Sequence, residues 1–317
     1  MGMARHELVR FQNGTVSVRP VSAREAMHSS IGPWEEANAV YIAQSRLSER
    51  LRNGAGPLVL YDVGLGIGAN ALAAIACHAS AAPNRALHIV SFENDLSGIR
   101  FALEQAEQFA FLSDREGTVR ELLDLRSTSP GPGILWELKV GDFREEVLSA
   151  PAAPEVIFYD FYSPAQTPNV WTVDCLKRLR SVCRENATDR GTVLLTYVAS
   201  TAARSAMLLA GFYVGYGSKT SAKLETTIAS TRFQDLERPL DKKWLGKLRR
   251  SSKPLPLGPS ASLSQAFNPL MTTLGPSASL SQAFNPLMTT LGPSASLSQA
   301  HFESLERIAK LEQFARA

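Results

Sequence analysis

The sequence predicts an α/β domain with a Rossmann-like, mostly parallel sheet, and three observations predict it. From Leu58 onward, short apolar runs alternate with amphipathic helical segments, the pattern of strand-helix crossover units. The first run passes directly into Gly64-Leu65-Gly66-Ile67-Gly68 and an Ala-rich helical stretch, the setting of a nucleotide-binding turn. The last two β runs leave no room for a crossover helix between them, so the sheet ends in an antiparallel hairpin. With 44% hydrophobic and 20% charged residues in 317, the chain can bury a sizeable core and lies outside disordered and collagen-like compositions.

Each element follows from local pattern. Residues 8–20 alternate in strand fashion around Asn13-Gly14, a pair that tolerates positive φ and closes a hairpin. After Gly32-Pro33, residues 34–51 place Ala37, Val40, Tyr41, Leu47 and Leu51 at helical intervals and predict one helix. Parallel strands are expected at 58–63, 87–92, 135–140, 156–161 and 192–198. Ser200 reads as the N-cap of a helix that ends at Gly211, and the runs 212–217 and 224–230 form the closing hairpin, seven strands in all. The composition changes after Arg232, where Lys242, Lys243, Lys247, Arg249 and Arg250 lead into a Pro/Ser-rich region. There, residues 257–273 recur identically as 274–290 and, truncated, as 291–300, a repeat of period 17 whose short apolar stripe (Leu263, Phe267, Leu270) is too small to bury a core. The expected organisation is a domain at 1–235, a linker at 236–300 and a terminal helix at 301–317.

A formal charge of +3 permits contact with a polyanion, but no arginine-rich tail or dense lysine run is present. Cys77, Cys175 and Cys183 fall in helical segments without the paired spacing of a zinc knuckle, which favours buried reduced thiols and no metal. Residues 1–10 carry no signal-peptide apolar run, and no stretch approaches the roughly 18 apolar residues of a membrane span. A cytoplasmic protein is expected.

The glycine loop alone does not choose a cofactor, because Gly64, Gly66 and Ala69 also fit the dinucleotide pattern G-x-G-x-x-A. The flanks do. Asp62, just before the first glycine, would pair with the cationic amino-acid part of S-adenosylmethionine and would repel a pyrophosphate. Glu93, ending the second strand, is placed to accept both ribose hydroxyls, and its separation from the loop exceeds the roughly twenty residues of the dinucleotide fold; the competing reading is a surface carboxylate. Asp142, after the third strand, either accepts the adenine amino group or caps a helix. The fourth strand ends in Asp160-Phe161-Tyr162-Ser163-Pro164, an acid, a phenol and a hydroxyl beside the expected methyl donor. Methyl transfer to an amine needs a positioned neutral nitrogen and a group that takes its proton, which Asp160 can do; capping of the next turn or helix is its structural alternative.

The longer run Asp160-Phe161-Tyr162-Ser163-Pro164-Ala165-Gln166-Thr167-Pro168-Asn169-Val170-Trp171 resembles the acid, aromatic, Pro, Asn-Pro, Trp signature of the MnmC-like tRNA methyltransferase family. Thr196-Tyr197, Ala210-Gly211-Phe212 and Lys223-Leu224-Glu225-Thr226-Thr227 resemble that family's fifth strand, next helix and closing strand, and His28-Ser29, Gly32 and Glu35-Glu36-Ala37 its opening segment. The resemblance covers residues 13–230. It implies a Rossmann-like class I S-adenosylmethionine-dependent methyltransferase fold, with tRNA as partner and the aminomethyl group of a wobble uridine as acceptor. By the same resemblance Asp62, Gly64, Gly66, Gly68, Glu93 and Asp142 hold the cofactor, and Asp160, Tyr162 and Tyr197 border the acceptor. Phe161, where many relatives carry a small residue, and Thr167, in place of the usual Asn, depart from the pattern on the acceptor side. No second glycine-rich loop follows Ser230, so a stand-alone form without the flavin oxidase domain of some members is expected, another enzyme making the aminomethyl group. Three other readings stay open: the same fold acting on a different acceptor, a non-catalytic binding module, and a nicotinamide-dependent oxidoreductase sharing only the loop.

Overall fold

Residues 8–20 form the expected hairpin: β1 (His6–Arg10) pairs antiparallel with β2 (Val16–Pro20), Leu8 opposite Val18, and Gly14 turns the chain at φ 84°. The computed structural model describes residues 5–184, 191–219, 225–250, 256 and 299–316.

The stretch expected as one helix is broken. α1 (Pro33–Glu36) runs into a π-helical turn at Ala37–Ile42 and then α2 (Ala43–Ser45); Arg46 takes a left-handed conformation at φ 53°, and α3 (Leu47–Arg52) restarts. The wider turn and the restart rephase the apolar stripe, so Val40, Tyr41, Leu47 and Leu51 all reach one core. A spacing pattern read at 3.6 residues per turn does not register such a local change of phase.

The central sheet follows. β3 (Leu58–Val63), β4 (Leu87–Glu93), β6 (Ile134–Val140), β7 (Val156–Tyr159) and β8 (Val193–Thr196) are parallel, and β5 (Ser127–Thr128), β9 (Tyr213–Tyr216) and β10 (Thr227–Ser230) are antiparallel additions. The order is β5-β6-β4-β3-β7-β8-β10-β9. Eight strands replace the expected seven because β5, two residues long, is too short to show alternation. The fourth strand stops at Tyr159 and the fifth spans only Val193–Thr196, so Asp160, Phe161 and Tyr197 stand in loops beyond the sheet edge.

Helices cover both faces. On one face α3, α4 (Ala69–Ser80), α5 (Ser97–Glu104), α6 (Ala110–Ser113) and α7 (Glu116–Leu125) pack their apolar sides on Leu58 and Leu60. On the other, α8 (Phe143–Glu146), α9 (Val173–Val182), α10 (Thr201–Leu209), α11 (Lys242–Arg249), α12 (Gln299–Ala309) and α13 (Glu312–Arg316) cover Val59, Tyr61 and Val63. Buried on both sides, β3 is apolar at every position but Asp62, as a central parallel strand requires. Ser200 caps α10 as expected, accepting from the Ala203 N–H at 3.1 Å, and Gly211 ends it at φ 95°.

Trp244 and Leu248 of α11 and Ile308 and Phe314 of the terminal helices belong to the same core, Trp244 stacking on Phe314. Residues 238–240 run along the outer side of β9, and the buried Gln313 side chain accepts from Val214 N (2.8 Å) and donates to Val214 O (2.7 Å) and Leu240 O (3.0 Å). The 17-residue repeats, apart from residues 299–300, lie outside the described residues. Among the described residues Cys77, Cys175 and Cys183 form no disulfide, and Cys183 lies just past the end of α9. Among the described residues no helix is long and apolar enough to cross a membrane.

Candidate active site

The strand order reverses direction at β3: the chain moves from β3 to β4 and β6 on one side, then returns to β7 on the other. That leaves a crevice beyond the carboxyl ends of β3, β4 and β7, where open α/β sheets bind ligands. Asp62, Glu93 and Asp160 come from those three strand ends.

The loop after β3 is shaped for close approach. Gly64 has φ 88°, and a Cβ there would lie 2.7 Å from the Asp160 carbonyl oxygen, so the glycine loop and the acid loop touch backbone to backbone. Gly66, at φ 55°, donates its N–H to Glu93 Oε2 at 3.3 Å, and Gly68 starts α4 without a side-chain cap, leaving first-turn N–H groups at the rim.

Asp62 is fully buried. Its Oδ2 accepts from Ser91 Oγ at 2.7 Å, a hydroxyl that in turn accepts from Trp136 Nε1 at 2.8 Å, while Oδ1 has no hydrogen-bond partner among the described residues. Burial, opposed by the Ser91 hydrogen bond and aided by the charges of Asp160 and Glu93, pushes the Asp62 carboxyl up to about 7. Glu93 accepts from the backbone N–H groups of Asn94 (2.8 Å), Asp95 (3.0 Å) and Gly66, and burial raises its pKa as well. A buried carboxylate with an orphan oxygen is expensive unless a cation completes it.

The sequence-derived residues therefore converge, with one exception. Asp142 caps α8, accepting from the Arg144 N–H at 2.9 Å, and pairs with the Arg144 side chain, whose hydrogen bond holds the carboxyl below its usual range. It is exposed, and the capping role left open by sequence is the one seen.

On the acceptor side, Asp160 Oδ2 accepts from Asn70 Nδ2 at 2.7 Å, and its backbone N–H donates to Val63 O at 2.9 Å. The Tyr162 hydroxyl is buried without a hydrogen-bond partner among the described residues; burial, then the charges of Glu93, Glu25 and Asp160, raise its pKa and keep it a neutral donor. The Tyr197 hydroxyl donates to Phe161 O at 3.1 Å and so braces the acid loop, its pKa raised by burial and by Asp160. Thr167 Oγ1 and Trp171 Nε1 both donate to Tyr162 O at 2.9 Å, and Ser163 Oγ donates to Glu25 at 2.9 Å. Phe161 joins the aromatic cluster of Phe143 and Tyr159 through edge contacts at 5.5 and 5.2 Å.

Sequence reading did not single out Asn70, Tyr41 or Glu25. Tyr41, on the π-helical turn, is buried 5.2 Å from the Phe158 ring, and its pKa is raised by burial and by the charge of Asp160. Asn70 offered a signal, a polar side chain in an otherwise apolar Ala-rich helix start, where it is 5% exposed.

The residues fit S-adenosylmethionine. The orphan Asp62 oxygen and the acidic rim suit its cationic amino-acid end, the glycines leave room for backbone contact, and Glu93 stands one strand over for the ribose.

Comparison with known proteins agrees. Residues 125–232 match a family described as S-adenosyl-L-methionine-dependent methyltransferase. An uncharacterized protein of Methanocaldococcus jannaschii is 27% identical over 229 residues, 71% of this chain and 59% of that protein. The tRNA 5-methylaminomethyl-2-thiouridine biosynthesis bifunctional protein MnmC of Polaromonas naphthalenivorans is 27% identical over 214 residues, 64% of this chain and 32% of that protein. The chain thus spans about a third of the MnmC protein and under two thirds of the archaeal one. The crystal structure of MnmC2 from Aquifex aeolicus shares the fold at a TM-score of 0.61 and 22% identity, covering 78% of this chain and 76% of that one. Fold and rim chemistry agree with the match over residues 125–232: the chain has the class I S-adenosylmethionine-dependent methyltransferase fold and is similar to the MnmC proteins.

Proposed function

We propose that this chain methylates the amine nitrogen of an aminomethyl group on a wobble uridine of tRNA. The observation that carries the reading is the meeting of Asp62, Glu93 and Asp160 at one rim, Asp62 and Glu93 flanking the glycine loop and Asp160 tied to the start of the helix after it through Asn70. When bound, S-adenosylmethionine supplies an electrophilic methyl group: the nitrogen lone pair forms the new N–C bond, the S–C pair stays with sulfur, and nitrogen is left with one proton to lose. Asp62 and Glu93 would hold the amino-acid and ribose ends, with Gly64, Gly66 and Gly68 beneath and Asp142 beside the adenine. Asp160 would orient the acceptor nitrogen by accepting its N–H and would take the displaced proton, and the neutral Tyr162 and Tyr197 phenols would wall the pocket. The names of the MnmC relatives, which specify tRNA 5-methylaminomethyl-2-thiouridine biosynthesis, support the acceptor, and a cytoplasmic location goes with it.

RNA would approach over the face that carries the rim. A groove of about 660 Å³ beside the segment that follows Glu93 is lined by Arg5, His6, Ser97, Arg100, Phe101 and Arg120, with Glu104 and Asp124. Arg5 and Arg100 have no carboxylate within ion-pair distance among the described residues, which leaves them for phosphates. Arg19 is paired with Glu7, and Arg10 donates to Gln108. Arg5→Glu with Arg100→Glu is expected to weaken tRNA binding about tenfold or more at low salt, measured by filter binding, with cofactor affinity unchanged.

Mass spectrometry of tRNA nucleosides from cells with and without the gene tests the acceptor: an unmethylated aminomethyluridine accumulates in its absence. Unaltered nucleosides would transfer the reading to a different amine acceptor.

A further inference from the structure

We infer that Asn70 is a positioning residue for the acceptor amine, holding Asp160 in register with the cofactor loop; the inference rests on the amine-methylating reading above. Asn70 is the second residue of α4, so the turn Gly64 to Gly68 that would carry the cofactor also sets its place. Asp160 is gripped three ways by that segment. Its N–H donates to Val63 O at 2.9 Å, its carbonyl lies against Gly64, where any Cβ would come within 2.7 Å, and its Oδ2 takes the Asn70 amide at 2.7 Å. The small residues Ala37, Ala69 and Ala73 let the π-helical turn sit close on α4, which brings Tyr41 to the same carboxylate.

The residue type matters. A lysine in this position would neutralise Asp160 and compete with an incoming ammonium, and an aspartate would repel it. An amide fixes one oxygen while leaving the full negative charge, the requirement for a group that must both orient an amine and receive its proton. The bond joins residues 90 apart in sequence, and it is the one side-chain contact that adds to the Val63 hydrogen bond and the Gly64 backbone contact in setting the acceptor acid against the donor loop. A merely structural Asn70 would tie loop to helix and influence stability and cofactor affinity instead.

The test compares wild type, Asn70→Ala and the near-isosteric Asn70→Asp. Cofactor affinity is read by calorimetry, kcat and KM on tRNA bearing aminomethyluridine as functions of pH, and the Asp160 carboxyl titration by carbon NMR of the free protein, assigned with Asp160→Asn. Losing a donor to a carboxylate raises its pKa, so the Asp160 midpoint and the acidic limb of kcat are expected to move up by about one unit in Asn70→Ala and further in Asn70→Asp. The expected kinetic signature is a kcat loss of about 10- to 100-fold with cofactor affinity within about threefold of wild type. An unmoved NMR midpoint in both variants overturns the inference, as does a loss of cofactor affinity that accounts for the whole kinetic effect. A wild-type protein that binds cofactor but methylates no amine-bearing tRNA overturns the functional reading, while the NMR titration still decides whether Asn70 governs the charge on Asp160.

Discussion

Asp62 sets the pH behaviour of the free protein and of the complex in opposite senses. Its folded pKa of about 7 lies above that of an unfolded aspartate, so its contribution to stability is fully present below about pH 4 and is lost as pH rises through 7. Pairing with a cation needs the ionised form, so cofactor affinity should rise from pH 6 to about pH 7.5, before the cofactor's own ammonium begins to lose its proton; calorimetry across that range checks it, and an affinity that falls there contradicts it. Asp62→Asn should make the free protein more stable at pH 8, by on the order of 1–3 kcal/mol in urea melts, while weakening cofactor binding about 30-fold or more. This carboxylate was legible in sequence because its position follows from one local pattern, an acid one residue before the first glycine of the loop. Glu93 was legible for the same reason, as a strand-end acid. Asn70 and Tyr41 were not, because what makes them significant is contact with Asp160, a residue brought to them only when β7 pairs beside β3.

At the scale of elements, the glycine loop and the acid loop behave as one unit. Gly64→Ala must displace the Asp160 backbone, since the added carbon would meet its carbonyl oxygen at 2.7 Å and would also occupy a left-handed φ. The expected result is joint loss of cofactor affinity and turnover, each by about 100-fold or more, with a Tm lower by several degrees; a variant defective in one but not the other would show that the loops move independently. The parallel strands and the α10 cap were readable because burial on both faces and a capping serine leave strong local signals. The π-helical turn and the two-residue β5 were not, because the first is a single change of helical phase and the second is shorter than any period. The case of Asp142 is intermediate: sequence offered cap and ligand, and the hydrogen bonds to Arg144 show the cap.

At the scale of the whole molecule, the chain returns after the repeat region to complete the domain. α12 and α13 bury Ile308 and Phe314 in the core formed by α9, α10 and α11. Burial of each such side chain contributes about 1.5–3 kcal/mol. Gln313→Leu would keep the volume but strand the N–H of Val214 and weaken the bonding of two buried carbonyls, so a loss of about 2–4 kcal/mol is expected in denaturant unfolding, with cofactor affinity unchanged. An unchanged midpoint would mean that the helix contributes nothing to holding the domain together.

The Gln313 contact also bears on how copies of this chain treat one another. β9 ends the sheet, and its outward amide and carbonyl groups are occupied by residues 238–240 and by a single side-chain carboxamide. Losing the terminal helix bares the Val214 N–H and leaves residues 238–240 as the edge's remaining cover, so increased self-association in concentrated solution is an expected cost of that loss.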